Sequence, residues 1–158
     1  MTPQDLMAVD AIAAEVHPNF PEDVAIPAER LRLAPAGCFV LAEDHAISGY
    51  VVSHPWHAFP PPKLNTLLGA IPERPESWYI HDLALLPAAR GRGHAGALVE
   101  HLAARARDLG LPIMSLTAVS GSAPFWAGHG FVSQGGADFA AALASYGADA
   151  AFMVRRLG

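Results

Sequence analysis

The chain has 158 residues, of which 52% are hydrophobic and 16% charged, and its net charge is −5. This composition predicts one globular domain over residues 1–158 and excludes a disordered chain. The acidic balance argues against a nucleic-acid-binding surface, and no apolar run approaches the roughly 20 residues of a membrane span. The N-terminus carries Asp5 and Asp10 and lacks the basic region typical of a secretion signal. We therefore expect a cytoplasmic protein without nucleic acid or membrane among its partners.

The N-terminal third of the chain predicts two helices followed by two strands. Apolar residues recur at helical spacing over residues 3–17, and a weaker helix over 21–34 is expected to break near Pro27. Residues 38–44 and 46–54 are typical of two strands joined by a tight turn. Cys38 is the only cysteine and lies in an apolar run, which favours a buried thiol over a nucleophile.

Residues 55–76 carry six prolines, so we expect a long loop there and no regular strand. A loop of this length within a compact domain is often functional. The other interpretation is an excursion over the surface. Trp56 and Phe59 are therefore candidates either for a lid over a substrate or for ordinary packing.

The C-terminal half predicts alternating strands and helices. The expected elements are a strand over 77–87, a helix over 93–109, a strand over 113–119, a short helix over 122–130, a strand over 131–134, an ambiguous segment over 137–147 and a closing strand over 150–157. This order predicts an α/β domain with a mixed sheet.

The stretch RGRGHAG, residues 90–96, joins a predicted strand to a predicted helix. Backbone N–H groups at the start of a helix are unpaired and carry partial positive charge, and glycines let another group approach them closely. Together with two arginines, this turn suits a polyphosphate. It lacks the Gly-Lys-Ser/Thr of a Walker A loop and the acidic residue of a dinucleotide fingerprint. The alternative is a solvated arginine turn.

The segment Arg90-Gly91-Arg92-Gly93-His94-Ala95 resembles the Arg/Gln-x-x-Gly-x-Gly/Ala motif of the GNAT acetyltransferases. The preceding LALLP resembles the bulged fourth strand of that family, and FWAGHGF resembles the segment after its fifth strand. The resemblance implies the GNAT fold, an α/β (α+β) arrangement. Its central sheet is mixed and largely antiparallel, with six to seven strands splayed at the family's strands four and five, and about four helices flank it. It also implies acetyl-CoA as co-substrate, no metal, and a monomer or homodimer.

The same resemblance implies a set of coenzyme contacts in the strand, the turn and the later short helix. These are Leu83, Ala84, Leu85, Arg90, Gly91, Arg92, Gly93, His94, Ala95, Gly96, Phe125 and Trp126. The backbone N–H of Leu85, or of a neighbour, is implied as the donor to the oxyanion of the tetrahedral intermediate.

Three further segments, GYVVSHPW, YIHDLAL and APFW, resemble the arylalkylamine N-acetyltransferase branch of the family. That likeness implies a small primary amine as acceptor. The chain departs from the branch at two positions. Tyr79 stands at the first histidine of its His-x-His pair, and Trp126 stands where a tyrosine usually protonates the leaving thiolate. Since an indole N–H stays protonated, Tyr146, Tyr79 or no group at all would take that role.

His81 matches the second histidine and is the candidate general base, because imidazole titrates near neutral pH. A structural histidine bonded to Asp82 or to backbone is the alternative. On a regular strand the neighbouring Asp82 points to the opposite face, so either side chain could face the cleft. The candidates for substrate contact are Trp56, Phe59, Tyr79 and Asp82, with Glu43 and His54 as weaker ones.

The sequence thus predicts an acetyl-CoA-dependent N-acetyltransferase acting on a small primary amine. The missing tyrosine motivates a second hypothesis, a module that binds an acyl-CoA or amine without useful turnover. Acylation of a protein N-terminus or lysine is a third. The eight histidines do not show the spacing of a zinc site, so we expect no metal.

Overall fold

The computed structural model describes all 158 residues. Its helices and strands are, in chain order, α1 (Leu6–Val16), α2 (Ala25–Leu33), β1 (Cys38–Glu43), β2 (Ala46–Trp56), β3 (Ser77–Leu85), α3 (His94–Asp108), β4 (Ile113–Ala118), α4 (Ala123–Gly128), β5 (Val132–Ser133), α5 (Ala137–Ala142) and β6 (Ala151–Arg156). The six strands form one sheet in the order β1-β2-β3-β4-β6-β5. Only β3 and β4 are parallel. The predicted mixed, largely antiparallel sheet is confirmed, with five helices. No helix has the length and apolar character needed to cross a membrane.

Two prolines lie inside a helix and a strand that the sequence predicts to break or to end at those residues. Pro27 does not break α2, because it occupies the first turn, where a helical N–H has no partner in any case. Pro55 belongs to β2, opposite Trp78 of β3. Beyond Val52 the other edge of β2 has no partner strand, so the missing N–H of Pro55 costs no ladder hydrogen bond.

The C-terminal segment differs from the prediction in smaller ways. β5 is limited to Val132–Ser133, and the preceding Phe131 is buried in the core. The ambiguous segment contains α5 and a short 3-10 turn, Ala144–Tyr146. Cys38 is buried, and burial raises the pKa of its thiol to about 11, as expected for a thiol without a nucleophilic role.

The proline-rich loop over residues 57–76 is fixed to α2 by a buried ion pair. Arg30 is fully buried, and its guanidinium donates to the carboxylate of Glu29 at 2.8 Å and to the carbonyl oxygen of Thr66 at 2.7 Å. The Glu29 carboxylate also accepts hydrogen bonds from the backbone N–H groups of Leu68 and Gly69. Loop backbone is thereby paired with side chains of α2, which explains how so long a segment is ordered without secondary structure.

The sheet opens between β3 and β4. Their parallel pairing runs from Ser77↔Ile113 to Ile80↔Leu116 and stops there. β3 continues to Leu85 with β2 as its only partner. This confirms the predicted splay and leaves one edge of the second half of β3 free.

A β-bulge lies at His81. Ile80 pairs with Ser53 and Asp82 pairs with Val52, so His81 is an extra residue with no opposite number on β2. Because of the extra residue, the alternation of side chains between the two faces of the sheet shifts by one position after His81. Before it, Ile80 packs in the core cluster that contains residues of α3, whereas after it Ala84 packs in the cluster of α1. The bulge expected within LALLP therefore lies earlier on the strand.

Gly37 fits against the sheet only because it lacks a side chain. A Cβ atom there would lie 2.1 Å from the carbonyl oxygen of Ser53 and 2.9 Å from the ring of Trp78. We expect Gly37→Ala to lower the free energy of unfolding by about 2–3 kcal/mol, measured by chemical denaturation. Gly135→Ala is the control, because nothing lies within 4 Å of the added atom, and it should change stability by less than about 0.5 kcal/mol. Equal stability of the two variants would contradict the close approach.

Candidate active site

A cavity of about 360 Å³ lies where the sheet opens, and we call it the cleft. It is lined by Val16, His17, Phe20, Glu22, Leu64, Ile80, His81, Asp82, Leu83, Arg90, Leu116, Thr117, Val119, Ser120, Ser122, Phe125, Trp126 and Tyr146. The lining combines apolar walls with two histidine–carboxylate pairs. Leu64, which belongs to the proline-rich loop, forms part of this lining.

His81 is paired with Glu22 inside the cleft. Its Nε2 lies 2.8 Å from Oε2 of Glu22, and its side chain is only 3% exposed. Because an ionised carboxylate can only accept, Nε2 of the neutral ring carries the hydrogen and Nδ1 carries the lone pair. Nδ1 is buried and has no hydrogen-bond partner within the protein. The pair thus presents an unpaired basic nitrogen in the lining of the cleft.

Glu22 is held in this position by the proline-rich loop. The backbone N–H of Asn65 donates to Oε1 of Glu22 at 2.7 Å, and the side-chain oxygen of Asn65 accepts from the N–H of Asp23. Burial acts to raise the pKa of Glu22, but the hydrogen bond and charge of His81 outweigh it and lower that pKa. Sequence reasoning missed Glu22, since it comes from the segment between α1 and α2, 59 residues away, with no local motif.

Asp82 forms the second pair, with His17. Nε2 of His17 lies 3.0 Å from Oδ1 of Asp82, and the hydroxyl of Tyr50 donates to Oδ2. Burial acts to raise the pKa of Asp82, but its bonds to His17 and Tyr50 lower it overall. Because His81 is the bulged residue, both His81 and the adjacent Asp82 line the cleft. Both oxygens of Asp82 are already engaged by protein groups.

A second cavity, of about 530 Å³, adjoins the cleft along the turn before α3, and we call it the coenzyme pocket. Most of the predicted coenzyme contacts line it: Leu83, Leu85, Arg90, Gly91, Gly93, His94, Ala95, Gly96 and Phe125. Leu83, Arg90 and Phe125 line both cavities, as does Val16 of α1. The two spaces therefore meet at the second half of β3.

The backbone of β3 faces this meeting point. Leu86 N–H donates to the carbonyl of Ser48, and Leu85 lies opposite Gly49. In an antiparallel ladder the hydrogen bonds flank alternate pairs, so the peptide groups of Leu85 and of Leu83 point away from β2 towards the opening. With β4 diverged, the N–H groups of Leu83 and Leu85 have no partner strand on this side.

The turn before α3 presents its backbone to the coenzyme pocket. Gly91 and Gly93 have positive φ angles of 73° and 81°, and Gly93 caps α3. The first N–H groups of α3 after this cap have no helical partner, and the 15-residue helix adds its dipole. Arg90 folds back so that Nε donates to the carbonyl of Leu85 at 2.9 Å. This arrangement can hold a diphosphate.

Several predicted residues lie outside both cavities. Ala84 packs against α1, and Arg92 points towards β1, where it pairs with Glu43 at 2.8 Å. Trp56 donates its indole N–H to Pro60, and Phe59 packs against α5 and β6. Neither lines the cleft as a lid would.

Of the remaining aromatic and histidine candidates, one lines the cleft and two are buried behind it. Trp126 lines the cleft and packs on Phe131. Tyr79 is buried behind the wall, where its hydroxyl bonds to Thr117. His54 is fully buried, and burial lowers its pKa to about 3, so it is neutral near pH 7. No group of three or more His, Cys, Asp or Glu side chains converges in a way that could hold a metal ion.

Residues 6–131 match the sequence model of the acetyltransferase (GNAT) family. The chain belongs to the GNAT acetyltransferase family. No curated protein matches the sequence. Family membership makes the chain an acyltransferase by class.

Solved structures of GNAT proteins share the fold. The GNAT-like decarboxylase GphF in complex with isobutyryl-CoA superimposes with a TM-score of 0.81 at 21% identity, covering 100% of this chain and 97% of that one. Naa20 of Chaetomium thermophilum with a bisubstrate analogue gives 0.72 at 18%, covering 99% and 84%. N-acetylglutamate synthase of Neisseria gonorrhoeae with coenzyme A and N-acetyl-glutamate gives 0.69 at 18%, covering 99% and 34%.

Proposed function

We propose that this GNAT protein transfers the acetyl group of acetyl-CoA directly to the primary amine of a small molecule. The observation that carries the proposal is the junction of the cleft with the coenzyme pocket at Leu83 and Arg90. The cleft contains a buried base, and the coenzyme pocket contains backbone N–H groups that can bind an anion. Amine and thioester can therefore meet in one ternary complex, with no covalent enzyme intermediate.

The coenzyme pocket supplies binding and electrostatic stabilisation. The pyrophosphate of acetyl-CoA would accept hydrogen bonds from the first turn of α3 and from Arg90. The thioester would then lie along β3, where the N–H of Leu85 points into the opening. A donor already fixed there stabilises the oxyanion that forms when the carbonyl is attacked.

The cleft supplies the base. An amine is mostly protonated at neutral pH, and Nδ1 of His81 can take its proton directly or through one water. The freed lone pair attacks the carbonyl carbon, a C–N bond forms and the C–S bond breaks. Glu22 keeps the hydrogen on Nε2 and stabilises the imidazolium that results, so it acts as a positioning residue.

The walls of the cleft favour an acceptor with an apolar body. Phe20, Leu64, Val119, Phe125 and Trp126 contribute hydrophobic surface. The two carboxylates of the cleft are each engaged by a histidine, so no free carboxylate selects a second positive charge. These features support an alkylamine or arylamine, in agreement with the likeness to the arylalkylamine branch.

A specific observation favours a peptide acceptor as the second candidate. An open groove of about 560 Å³ joins the cleft at Phe20, Val119, Ser120 and Tyr146. It passes between the α1–α2 segment and residues 144–150, and an extended chain could lie in it. Naa20 and the NatC complex bound to Gag peptide have the same fold as this protein.

Binding of the coenzyme is the first test. We expect acetyl-CoA to bind in isothermal titration calorimetry, and Arg90→Ala to weaken binding by about 10- to 100-fold, since charge-assisted hydrogen bonds contribute about 1.5–3 kcal/mol each. Arg74→Ala, on the exposed part of the proline-rich loop, is the matched control and should bind as wild type does. Absence of binding at millimolar acetyl-CoA would contradict the proposal.

Release of free CoA then separates the candidate functions. Wild-type protein with acetyl-CoA is assayed against alkylamines, arylamines and peptides with a free N-terminus or lysine. Turnover with small amines alone supports the proposal, and turnover with peptides alone replaces it by the second candidate. Binding without turnover would indicate a binding module, which the tryptophan at position 126 also allows. Because GphF is a decarboxylase, malonyl-CoA without amine is a further arm, and loss of CO₂ there would contradict amine acetylation.

A further inference from the structure

The proposed transfer leaves the CoA sulfur as a thiolate, and the residues near it differ in their ability to protonate it. Trp126 lines the cleft but its indole does not titrate. The hydroxyl of Tyr146 donates to the carbonyl of Pro62, and that of Tyr79 bonds to Thr117. Burial raises the pKa of Tyr146, and it raises that of Tyr79 to about 12. Neither tyrosine is therefore an effective acid near neutral pH.

His17 lines the cleft, next in the chain to a residue at which the two cavities meet. It follows the last residue of α1, Val16, which lines both the cleft and the coenzyme pocket. Its Nε2 is 3.0 Å from Oδ1 of Asp82, the residue before Leu83 on β3. The peptide of Leu83 points into the opening of the sheet. The imidazole is thus beside the part of β3 along which the thioester would lie.

The charges around His17 favour its protonated form. Burial acts to lower its pKa, but the hydrogen bond and charge of Asp82 outweigh this and raise it above the ordinary value, with Arg90 opposing weakly. The position at the C-terminal end of α1 acts in the same direction as Asp82. The other charged or titratable groups lining the adjoining spaces are Asp10 of α1, Glu22 and His81 of the paired base, and Tyr50 on the far oxygen of Asp82. The contacts with Asp82 stabilise the imidazolium form of His17 and raise its pKa.

We propose that His17 donates a proton to the CoA sulfur. It would take the role that the family resemblance gives to a tyrosine at the position of Trp126. This assignment rests on the proposed acetyl transfer. One proton of the ammonium group goes to His81, the C–N bond forms, the C–S electron pair goes to sulfur, and sulfur takes the proton of His17. The acylated nitrogen loses its second proton to water, which leaves the neutral amide. Asp82 keeps the ring oriented throughout. Proton exchange with water then returns His81 to its neutral form and His17 to its charged form.

Replacement by glutamine tests the assignment, since the amide of His17→Gln can still donate to Asp82 but cannot transfer a proton. We expect kcat with acetyl-CoA to fall about 100-fold, while the KM for acetyl-CoA stays within about threefold. At alkaline pH the wild-type rate should fall as His17 loses its proton. This alkaline limb of the pH–rate profile should be absent from His17→Gln. His57→Gln, on the exposed start of the proline-rich loop, is the matched control and should keep the alkaline limb.

A change of leaving group distinguishes proton donation from a structural role. The thiol released from S-(4-nitrophenyl) thioacetate is acidic enough to leave as the anion. Acetyl transfer from it to the amine should therefore fall less than about threefold in His17→Gln and should collapse in His81→Ala. Equal losses of His17→Gln with both thioesters would overturn proton donation by His17.

Two further outcomes separate this assignment from the proposed function. Wild-type turnover that His17→Gln leaves unchanged would overturn the role of His17 alone. Absence of turnover by wild type would overturn the acetyl transfer and this assignment with it. If His17→Gln does not fold, the wild-type protein still decides. With ¹⁵N-labelled histidine, the titration of His17 must coincide with the alkaline limb, and a clear separation of the two contradicts the proposal.

Discussion

Replacement of His81 by alanine is expected to reduce kcat for acetyl transfer by about 10²–10⁴-fold, the usual contribution of a positioned general base. The side chain lines the cleft, Glu22 occupies Nε2, and Nδ1 is buried without a protein partner. Removing the ring removes the nitrogen that takes the amine proton. The affinity for acetyl-CoA should change little, because the coenzyme pocket lies along the other half of β3. Release of CoA measures the rate, and calorimetry measures the affinity.

Glu22→Gln separates positioning from proton transfer in the same assay. It keeps the shape of the side chain but removes the carboxylate that fixes the tautomer of His81 and stabilises its charged form. We expect a smaller loss of kcat, of about tenfold, because an amide stabilises the imidazolium less than a carboxylate does. Full activity in a folded His81→Ala variant would show that the amine is deprotonated elsewhere.

Replacement of Arg30 by methionine is expected to lower the free energy of unfolding by about 3–5 kcal/mol, since one member of a buried ion pair is left alone. The guanidinium is fully buried and joins Glu29 to the carbonyl of Thr66. Without it the Glu29 carboxylate stays buried with two backbone donors and without its ion-pair partner. For a chain of this size the melting temperature should fall on the order of 10 °C.

Arg32→Met is the matched control, because Arg32 lies exposed on the same helix and should contribute less than about 0.5 kcal/mol. Arg30→Met should also reduce kcat, since the loop that carries Asn65 positions Glu22. Chemical denaturation followed by circular dichroism gives the comparison. Equal unfolding midpoints for the two variants would show that the buried guanidinium does not fix the loop.

Local signals in the sequence were sufficient for the turn and for the strand beside it. The glycines and arginines of residues 90–96 carry their conformational preferences within seven positions, and the prediction of a strand followed by a helix is confirmed there. The six-stranded mixed sheet follows from strand periodicity and the order of the elements. These features depend on neighbours along the chain, which a sequence displays directly.

The pairs that complete the cleft depend on contacts that a sequence does not display. Glu22 meets His81 across 59 residues, and His17, at the end of the first predicted helix, meets Asp82 of β3. The bulge at His81 is set by its register with β2, so alternation alone could not tell which of His81 and Asp82 faces the cleft. Loop composition left Trp56 and Phe59 open between a lid and ordinary packing, and their neighbours in space are Pro60, α5 and β6.

The extra residue of β3 has a consequence for how such proteins diverge. His81 has no opposite number on β2, so exchange of its side chain alters the chemistry of the cleft without moving the registered neighbours. Loss of the bulge with His81 retained in a regular strand would instead turn every following residue to the other face, together with the peptides of Leu83 and Leu85. Sequence alignments with relatives that carry a bulge elsewhere should therefore place their gap on this strand. Otherwise residues that share an alignment column would face different cores.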